Sequence, residues 1–305
     1  MENIKAKDMK FKLHSGDLIP FIGLGTYLIE GRSTLEILDN ALAAGYRLFD
    51  TAKMYGNEDD IGKAFKNLLP KHKLKRQDIF ITTKLLPSDQ GAKAYNALRE
   101  SLTKLDCGYI DLYLIHWPGT YGGGNASKLR AESWKQMVRA VNEGLVRNIG
   151  VSNYLVRHLQ ELLANHHGVK PALNQVNFKM FGLFHIDIIG LKVEWHPHYH
   201  PSDLLEFCKK ENILLQAYMP LGGSGNSNLL KNKQVQHIAT KLKKSPAQVL
   251  LKWSLQQYVA IIPKASSRDH MAENIDLDFI IPNDDMDVLN SFKTVKYDWD
   301  PESIR

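Results

Sequence analysis

Residues 79–116 read IFITTKLLPSDQGAKAYNALRESLTKLDCGYIDLYLIH and decide the fold of the chain. Two short apolar runs, Ile79–Leu85 and Ile110–His116, are rich in β-branched and aromatic residues and are typical of buried strands. Between them, Ala94–Leu105 carries apolar residues at helical spacing. A strand, a helix and a second strand in this order predict two parallel strands joined by a crossover helix.

The same unit repeats along the chain. Similar apolar runs lie at Ile19–Leu24, Arg47–Thr51, Val146–Val151, Ala172–Val176, Ile213–Ala217 and Ala260–Pro263, with amphipathic stretches such as Thr34–Ala44 and Glu132–Leu145 in the gaps. Eight such units in 305 residues predict a (β/α)8 TIM barrel. A doubly wound sheet is disfavoured because no Gly-x-Gly-x-x-Gly follows the first strand. Alternation around Ser15-Gly16 predicts a short N-terminal β-hairpin, and the absence of a linker predicts one domain over residues 1–305.

Composition and charge exclude several classes of protein. Lys and Arg number 39 against 33 Asp and Glu, and the net charge of +6 is dispersed, so we expect no nucleic-acid partner. No apolar run approaches the roughly 18 residues of a membrane span, so we expect no membrane partner. Two cysteines, Cys107 and Cys208, are too few for a disulfide framework, and the first residues lack a signal-peptide core. We therefore expect a monomeric, cytoplasmic protein.

Ionisable side chains stand at the ends of three consecutive predicted strands. These are Asp50, Lys84 and His116, and Tyr55 follows Asp50 in the next loop. Strand ends carry the chemistry of such barrels, so we expect the four side chains to meet at one rim. An ammonium favours the phenolate form of a nearby tyrosine, a carboxylate can hold that ammonium, and a neutral histidine can donate to an oxyanion. The set suits protonation of a carbonyl oxygen.

A second reactant must attack the carbonyl carbon. None of the four side chains is typical of a covalent nucleophile, so a hydride-donating cofactor is the natural complement. The alternating histidines of His196-Pro-His198-Tyr-His200 lack a nearby carboxylate or cysteine partner, and we expect no metal site there.

These residues lie in blocks that resemble the signatures of the aldo-keto reductases. The blocks are Gly45-Tyr-Arg-Leu-Phe-Asp50-Thr-Ala-Lys-Met-Tyr55-Gly-Asn-Glu58, Thr83-Lys84-Leu85, Leu114-Ile-His116-Trp-Pro118, Ile149-Gly-Val-Ser152-Asn153 and Ile262-Pro-Lys264. They occur in the family's order over almost the whole chain. The short C-terminus and the short loop after His116 are most similar to short-loop members, of the prostaglandin F synthase and diketogluconate reductase type.

The resemblance implies NADPH-dependent reduction of aldehydes or ketones to alcohols, as in NADP-dependent alcohol dehydrogenases of the aldehyde reductase type. Tyr55 is then the general acid, Lys84 lowers its pKa, Asp50 pairs with Lys84, and His116 orients the substrate carbonyl. The matching cofactor residues are Thr26, Ser152, Asn153, Gln175, Tyr218, Leu221, Lys264, Ser266, His270, Glu273 and Asn274. The matching substrate residues are Tyr27, Met54 and Trp117.

Two positions depart from the family pattern. His270 replaces an arginine that many members use to hold the adenosine 2′-phosphate, whereas Lys264 is retained. NADPH is therefore the expected cofactor, and NADH is possible but less favoured.

An apolar insertion at about 177–193 interrupts the sixth strand. Either Gln175 stays in that strand and the insertion is expelled as a flap, or Leu191–Val193 replaces it and Lys192 takes the place of Gln175. An abundance of Phe, Ile, Lys and Asn in the insertion suggests a translated intron or alternative exon. Because the insertion interrupts the sixth strand, the alternative function is a catalytically impaired NADPH-binding isoform or scaffold protein.

Overall fold

The computed structural model describes residues 5–120, 125–176, 195–222 and 229–294. Eight parallel strands in these ranges form a nearly closed barrel with helices between them, which confirms the predicted (β/α)8 fold. In order around the barrel the strands are β3 (Leu24–Gly25), β4 (Leu48–Asp50), β5 (Phe80–Leu85), β6 (Ile110–Ile115), β7 (Val146–Ser152), β8 (Leu173–Val176), β9 (Leu214–Tyr218) and β10 (Ala260–Ile262).

Amphipathic helices connect the strands and bury one face each. They are α1 (Arg32–Ala44), α2 (Glu58–Lys71), α3 (Ala94–Leu105), α4 (Ala126–Asn142), α5 (Val156–Ala164), α6 (Ser202–Lys210), α7 (Lys233–Leu242), α8 (Pro246–Gln256), α9 (Arg268–Ile275) and α10 (Asn283–Asn290). Helix α1, for example, buries Ile37, Leu38, Ala41 and Leu42, which share one face at helical spacing. It ends at Gly45, whose φ of +108° lies in the left-handed region that glycine adopts without strain.

The N-terminal β-hairpin is present, but the first barrel strand was predicted in the wrong place. Strands β1 (Lys10–Lys12) and β2 (Leu18–Pro20) pair antiparallel, so the start of the apolar run Ile19–Leu24 belongs to the hairpin. The barrel strand is β3, which begins where that run ends. One apolar run therefore contributes residues to two sheets, because side chains of the run are buried in both.

Two backbone hydrogen bonds between the chain before β3 and strand β10 close the barrel. Ile261 N donates to Phe21 O at 2.8 Å, and Gly23 N donates to Ile261 O at 2.9 Å. The prediction that α4 begins at Glu132 was also wrong, since the helix begins at Ala126. Its first turn buries none of its residues fully, and the side chain of Asn125 caps it by accepting from Lys128 N at 3.1 Å.

The sixth barrel strand, β8, contains Gln175. Its register pairs Gln175 with Ser152 of β7 and with Gln216 of β9. Gln175 therefore stays in the sixth strand, as the first of the two predicted arrangements requires. The predicted insertion at about 177–193, with Lys192, lies outside the described residues. Within the described ranges, none of the helices combines the length and the apolar character that a bilayer span requires.

Candidate active site

The four predicted catalytic side chains meet at the carboxyl ends of three neighbouring strands. Asp50 ends β4, Lys84 lies near the end of β5, and His116 directly follows β6. Tyr55 ends a 3-10 turn, Lys53–Tyr55, in the loop after β4. Because the strands are parallel neighbours, these ends share one rim of the barrel.

A fully buried ion pair lies at the centre of the site. Lys84 Nζ is 2.6 Å from Asp50 Oδ1, and both side chains have no exposed surface. Lys84 Nζ also donates to Thr51 O at 2.7 Å and lies 3.4 Å from the Tyr55 hydroxyl. Burial lowers the pKa of Lys84 and raises the pKa of Asp50, while the attraction between the two charges opposes both shifts. The ammonium thus has two acceptors and faces the phenol oxygen with its remaining donor.

Aromatic rings surround Tyr55. The ring of Tyr27 lies 5.1 Å from it and the ring of His116 lies 6.0 Å away, measured between ring centroids. Tyr218 is the last residue of β9; burial raises its pKa, and its interaction with Tyr55 opposes this shift. Tyr55 is itself half-buried, so part of this residue is accessible to solvent.

His116 is buried beside the positive charge of Lys84. Burial lowers the pKa of His116 well below its usual value, and the Lys84 charge adds to this effect. The imidazole is therefore neutral at pH 7, and a neutral ring can donate a hydrogen bond without adding a charge to the site. Its backbone oxygen accepts from Asn153 Nδ2 at 2.9 Å, which fixes the loop after β6 to the end of β7.

The residues predicted to hold the nicotinamide lie at the ends of the next strands. Ser152 ends β7, and Asn153 follows it with a φ of +65°, a left-handed conformation that asparagine tolerates. Gln175 lies in β8, and its Nε2 donates to Asp50 Oδ2 at 2.6 Å. Among the described residues, Gln175 Oε1 has no hydrogen-bond partner although it is buried. An unsatisfied carbonyl oxygen beside hydroxyl and amide groups fits a carboxamide, which offers a donor and an acceptor.

The remaining predicted cofactor residues divide between the barrel and its outer rim. Thr26 Oγ1 donates to Asp50 O at 2.9 Å, so this hydroxyl ties the loop after β3 to β4. Lys264, Ser266 and His270 are exposed, Glu273 and Leu221 are half-buried, and Asn274 is buried. Ser267, which the sequence analysis missed, caps α9 by accepting from His270 N at 3.2 Å. A capped helix start with exposed cations is suited to an anionic group.

The three predicted substrate residues border Tyr55 and His116. Tyr27 packs against Tyr55, and Met54 shares the 3-10 turn with it. The ring of Trp117 stacks on His116 with a centroid distance of 6.2 Å. Gln90 Nε2 donates to Trp117 O at 2.8 Å and holds that loop in place. The rings of Tyr27 and Trp117 thus form an aromatic border beside Tyr55 and His116, and Met54 directly precedes Tyr55 in the turn.

Sequence reasoning also missed Gln216, whose Oε1 accepts from Gln175 Nε2 at 2.9 Å. Gln216 is fully buried two residues before Tyr218, so both side chains lie on the same side of β9. The signal was available, because a glutamine inside a buried apolar strand needs polar partners.

Comparison with known proteins places this geometry in a family. Residues 21–293 match the Aldo/keto reductase family. Aldose reductase C of Dictyostelium discoideum is 37% identical over 302 residues, which cover 92% of this chain and 88% of that protein. Glyoxal reductase of Bacillus subtilis (strain 168) is 36% identical over 283 residues, with 92% and 91% covered. The solved structure of the aldose reductase from Schistosoma japonicum has a TM-score of 0.82 at 34% identity, covering 95% of this chain and 94% of that one.

The resemblance found in the signature blocks is therefore confirmed over nearly the whole chain. Its relatives carry names of reductases that act on aldehydes, so the chain is an oxidoreductase that acts on carbonyl compounds. Since the family match extends from the first barrel strand to the last helix, the chain belongs to the aldo/keto reductase family.

Proposed function

We propose that the protein reduces aldehydes or ketones to alcohols with NADPH, and that Tyr55 is the general acid. One observation carries the proposal: the Lys84 ammonium lies between the Asp50 carboxylate, at 2.6 Å, and the Tyr55 hydroxyl, at 3.4 Å. A cation in this position stabilises the phenolate that remains after a proton has left. This activity corresponds to an NADP-dependent alcohol dehydrogenase of the aldehyde reductase type.

The residues at the barrel rim support a nicotinamide cofactor. Bound NADPH supplies a hydride to the carbonyl carbon. Ser152, Asn153 and Gln175 would hold its carboxamide, and the ring of Tyr218 would support the nicotinamide face. At the other end, Lys264 and His270 beside the capped start of α9 would hold the 2′-phosphate.

The chain's own residues then carry the proton. His116, which is neutral, donates a hydrogen bond that orients the carbonyl oxygen toward Tyr55. Tyr55 gives its hydroxyl proton to that oxygen, and Lys84 stabilises the resulting phenolate. Asp50 keeps Lys84 charged inside the barrel, where an unpaired ammonium would lose its proton.

The substrate we propose is a small carbonyl compound bound by one protein chain. The border formed by Tyr27, Met54 and Trp117 is aromatic and apolar, which favours the carbon skeleton of an aldehyde or ketone. The relatives named for aldose and glyoxal reduction support a broad rather than a narrow choice of aldehydes. We also propose that the protein acts as a monomer. We propose a cytoplasmic location because Cys107 and Cys208 are both free thiols, as is usual in a reducing compartment.

A catalytically impaired isoform or scaffold protein is the alternative function predicted from the interruption of the sixth strand. The described residues give it no support, because Gln175 retains its place in β8 and its bond to Asp50.

We expect the full chain to oxidise NADPH in the presence of aromatic aldehydes and small dicarbonyl compounds. The measurement is the loss of NADPH absorbance in the steady state, beside a form that lacks residues 177–193. Turnover by both forms supports the reductase proposal and makes the segment a tolerated addition. Turnover by the shorter form alone would assign the activity to a chain without that segment. Absence of turnover in both forms would refute the proposal.

We expect Lys264→Met to weaken binding of NADPH but not of NADH. A charged hydrogen bond to a phosphate contributes about 1.5–3 kcal/mol, so the Kd for NADPH should rise by about tenfold to a hundredfold. Quenching of tryptophan fluorescence measures the Kd of each cofactor. Lys75→Met is the matched control, because Lys75 is an exposed lysine at the amino end of β5, on the opposite side of the barrel. Equal losses for NADPH and NADH would contradict a 2′-phosphate contact.

A further inference from the structure

A row of buried hydrogen bonds continues from the ion pair to Gln216, to which the proposed reaction assigns no role. Gln175 Nε2 lies 2.6 Å from Asp50 Oδ2 and 2.9 Å from Gln216 Oε1. None of these three side chains has exposed surface. The register of β8 and β9 places Gln175 directly beside Gln216, so the contact follows from the sheet itself.

The carboxylate of Asp50 determines how both amides are turned. An ionised carboxylate only accepts hydrogen bonds, so the amide nitrogen of Gln175 must face it. That nitrogen carries a second N–H, which needs a second acceptor inside the barrel, and Gln216 Oε1 is this acceptor. Gln175 Oε1 consequently points away from Asp50. The described residues offer no hydrogen-bond partner to this oxygen or to Gln216 Nε2.

We propose that Gln216 is a positioning residue that acts through Gln175 to hold the Asp50–Lys84 pair in its ionised, aligned state. The inference rests on the proposed function, because the pair matters to the reaction only through the Tyr55 hydroxyl. Without the Gln216 oxygen, one N–H of Gln175 is buried without an acceptor, which is unfavourable enough to turn the amide away. Asp50 then loses the donor that holds one of its two oxygens.

The loss of this donor has a directional effect on Tyr55. A hydrogen bond to a carboxylate favours the charged form, and the Gln175 bond lowers the pKa of Asp50 against the effect of burial. A less stable carboxylate keeps less positive charge on Lys84, and the phenolate of Tyr55 is then less stabilised. The alkaline limb of the kcat profile should therefore move to higher pH. The other titratable groups that interact with this pair are Glu58, His116 and Tyr218.

The test is a double-mutant cycle of Gln216→Leu and Gln175→Leu. We expect Gln216→Leu to lower kcat about fivefold to tenfold, as the loss of one hydrogen bond predicts, and to move the alkaline limb upward by about half a pH unit. The double variant should be no slower than Gln175→Leu alone, since Gln216 acts through Gln175. The effects of the two substitutions on the unfolding equilibrium constant of the protein without cofactor should be non-additive in the same way.

Asn148→Leu is the matched control. Asn148 is a buried amide in the strand β7, but it bonds to Asp17 and Asp111 O and is separated along β7 from the strand end that carries Ser152. We expect this variant to unfold more easily with an unchanged alkaline limb. The proposal would be overturned if the effects of Gln216→Leu and Gln175→Leu were additive both in kcat and in the unfolding equilibrium constant. It would also be overturned if Gln216→Leu left the alkaline limb of the kcat profile at its original pH. If the unmodified chain shows no turnover, the proposed function fails, and the unfolding cycle still decides whether Gln216 holds Gln175.

Discussion

Replacing Tyr55 by phenylalanine should lower kcat by about 10²–10⁴, the usual contribution of a general acid. The substitution removes only the hydroxyl that lies 3.4 Å from Lys84 Nζ. The ring remains against Tyr27 and His116, so the border of the site keeps its shape. Because binding of cofactor does not use the acidic proton, the Kd for NADPH should change by less than about threefold. The measurements are steady-state NADPH oxidation and quenching of tryptophan fluorescence.

Tyr109→Phe is the matched control for this prediction. Tyr109 immediately precedes β6, at the amino end of the barrel, where its ring lies between the guanidinium groups of Arg76 and Arg147. Its hydroxyl can therefore be removed without any change at the rim that carries Tyr55, and kcat should stay at the unmodified value. If Tyr55→Phe kept turnover within threefold of the unmodified chain, another group would have to supply the proton. The proposed role of Tyr55 would then be wrong.

The barrel and the position of the site were predictable because both follow from strand patterns. Short apolar runs that alternate with amphipathic stretches permit few arrangements other than parallel strands with crossover helices. Once the strands are parallel, Asp50, Lys84 and His116 must lie on one rim, since each stands at the carboxyl end of a strand. The Lys84–Asp50 bond follows from this placement, because a buried ammonium needs a counter-charge.

The parts that the sequence did not predict depend on which of several neighbours a residue meets. The run Ile19–Leu24 is equally apolar where it joins the hairpin and where it approaches β10, so its pattern did not separate the two sheets. The first turn of α4 buries none of its residues fully, so no apolar face marked it, and its Asn125 cap was overlooked. Gln216 was visible as a polar residue in β9, but its partner on β8 is 41 residues away in the chain.

The buried pair itself supports the second large effect that we expect. Asp50→Leu should lower the free energy of unfolding by about 3–5 kcal/mol, because it leaves the Lys84 ammonium buried without a counter-charge. The double variant Asp50→Leu with Lys84→Met should recover most of that loss, since two apolar side chains replace a pair whose desolvation is unfavourable. Neither variant should reduce carbonyl compounds at more than about one hundredth of the unmodified rate. The double variant has no Lys84, and in Asp50→Leu the unpaired Lys84 tends to lose its proton, so neither variant keeps a stable cation beside Tyr55.

Guanidinium unfolding followed by tryptophan fluorescence measures the stability of these variants, and NADPH oxidation measures their activity. Lys63→Met is the control for loss of a lysine, since Lys63 pairs with Asp59 on the exposed surface of α2 and should change both properties far less. A double variant as unstable as Asp50→Leu would mean that the pair is required for folding itself. Recovery of stability without activity would instead show that the barrel does not need the pair and that the reaction does, which is the expected result for charges retained for catalysis.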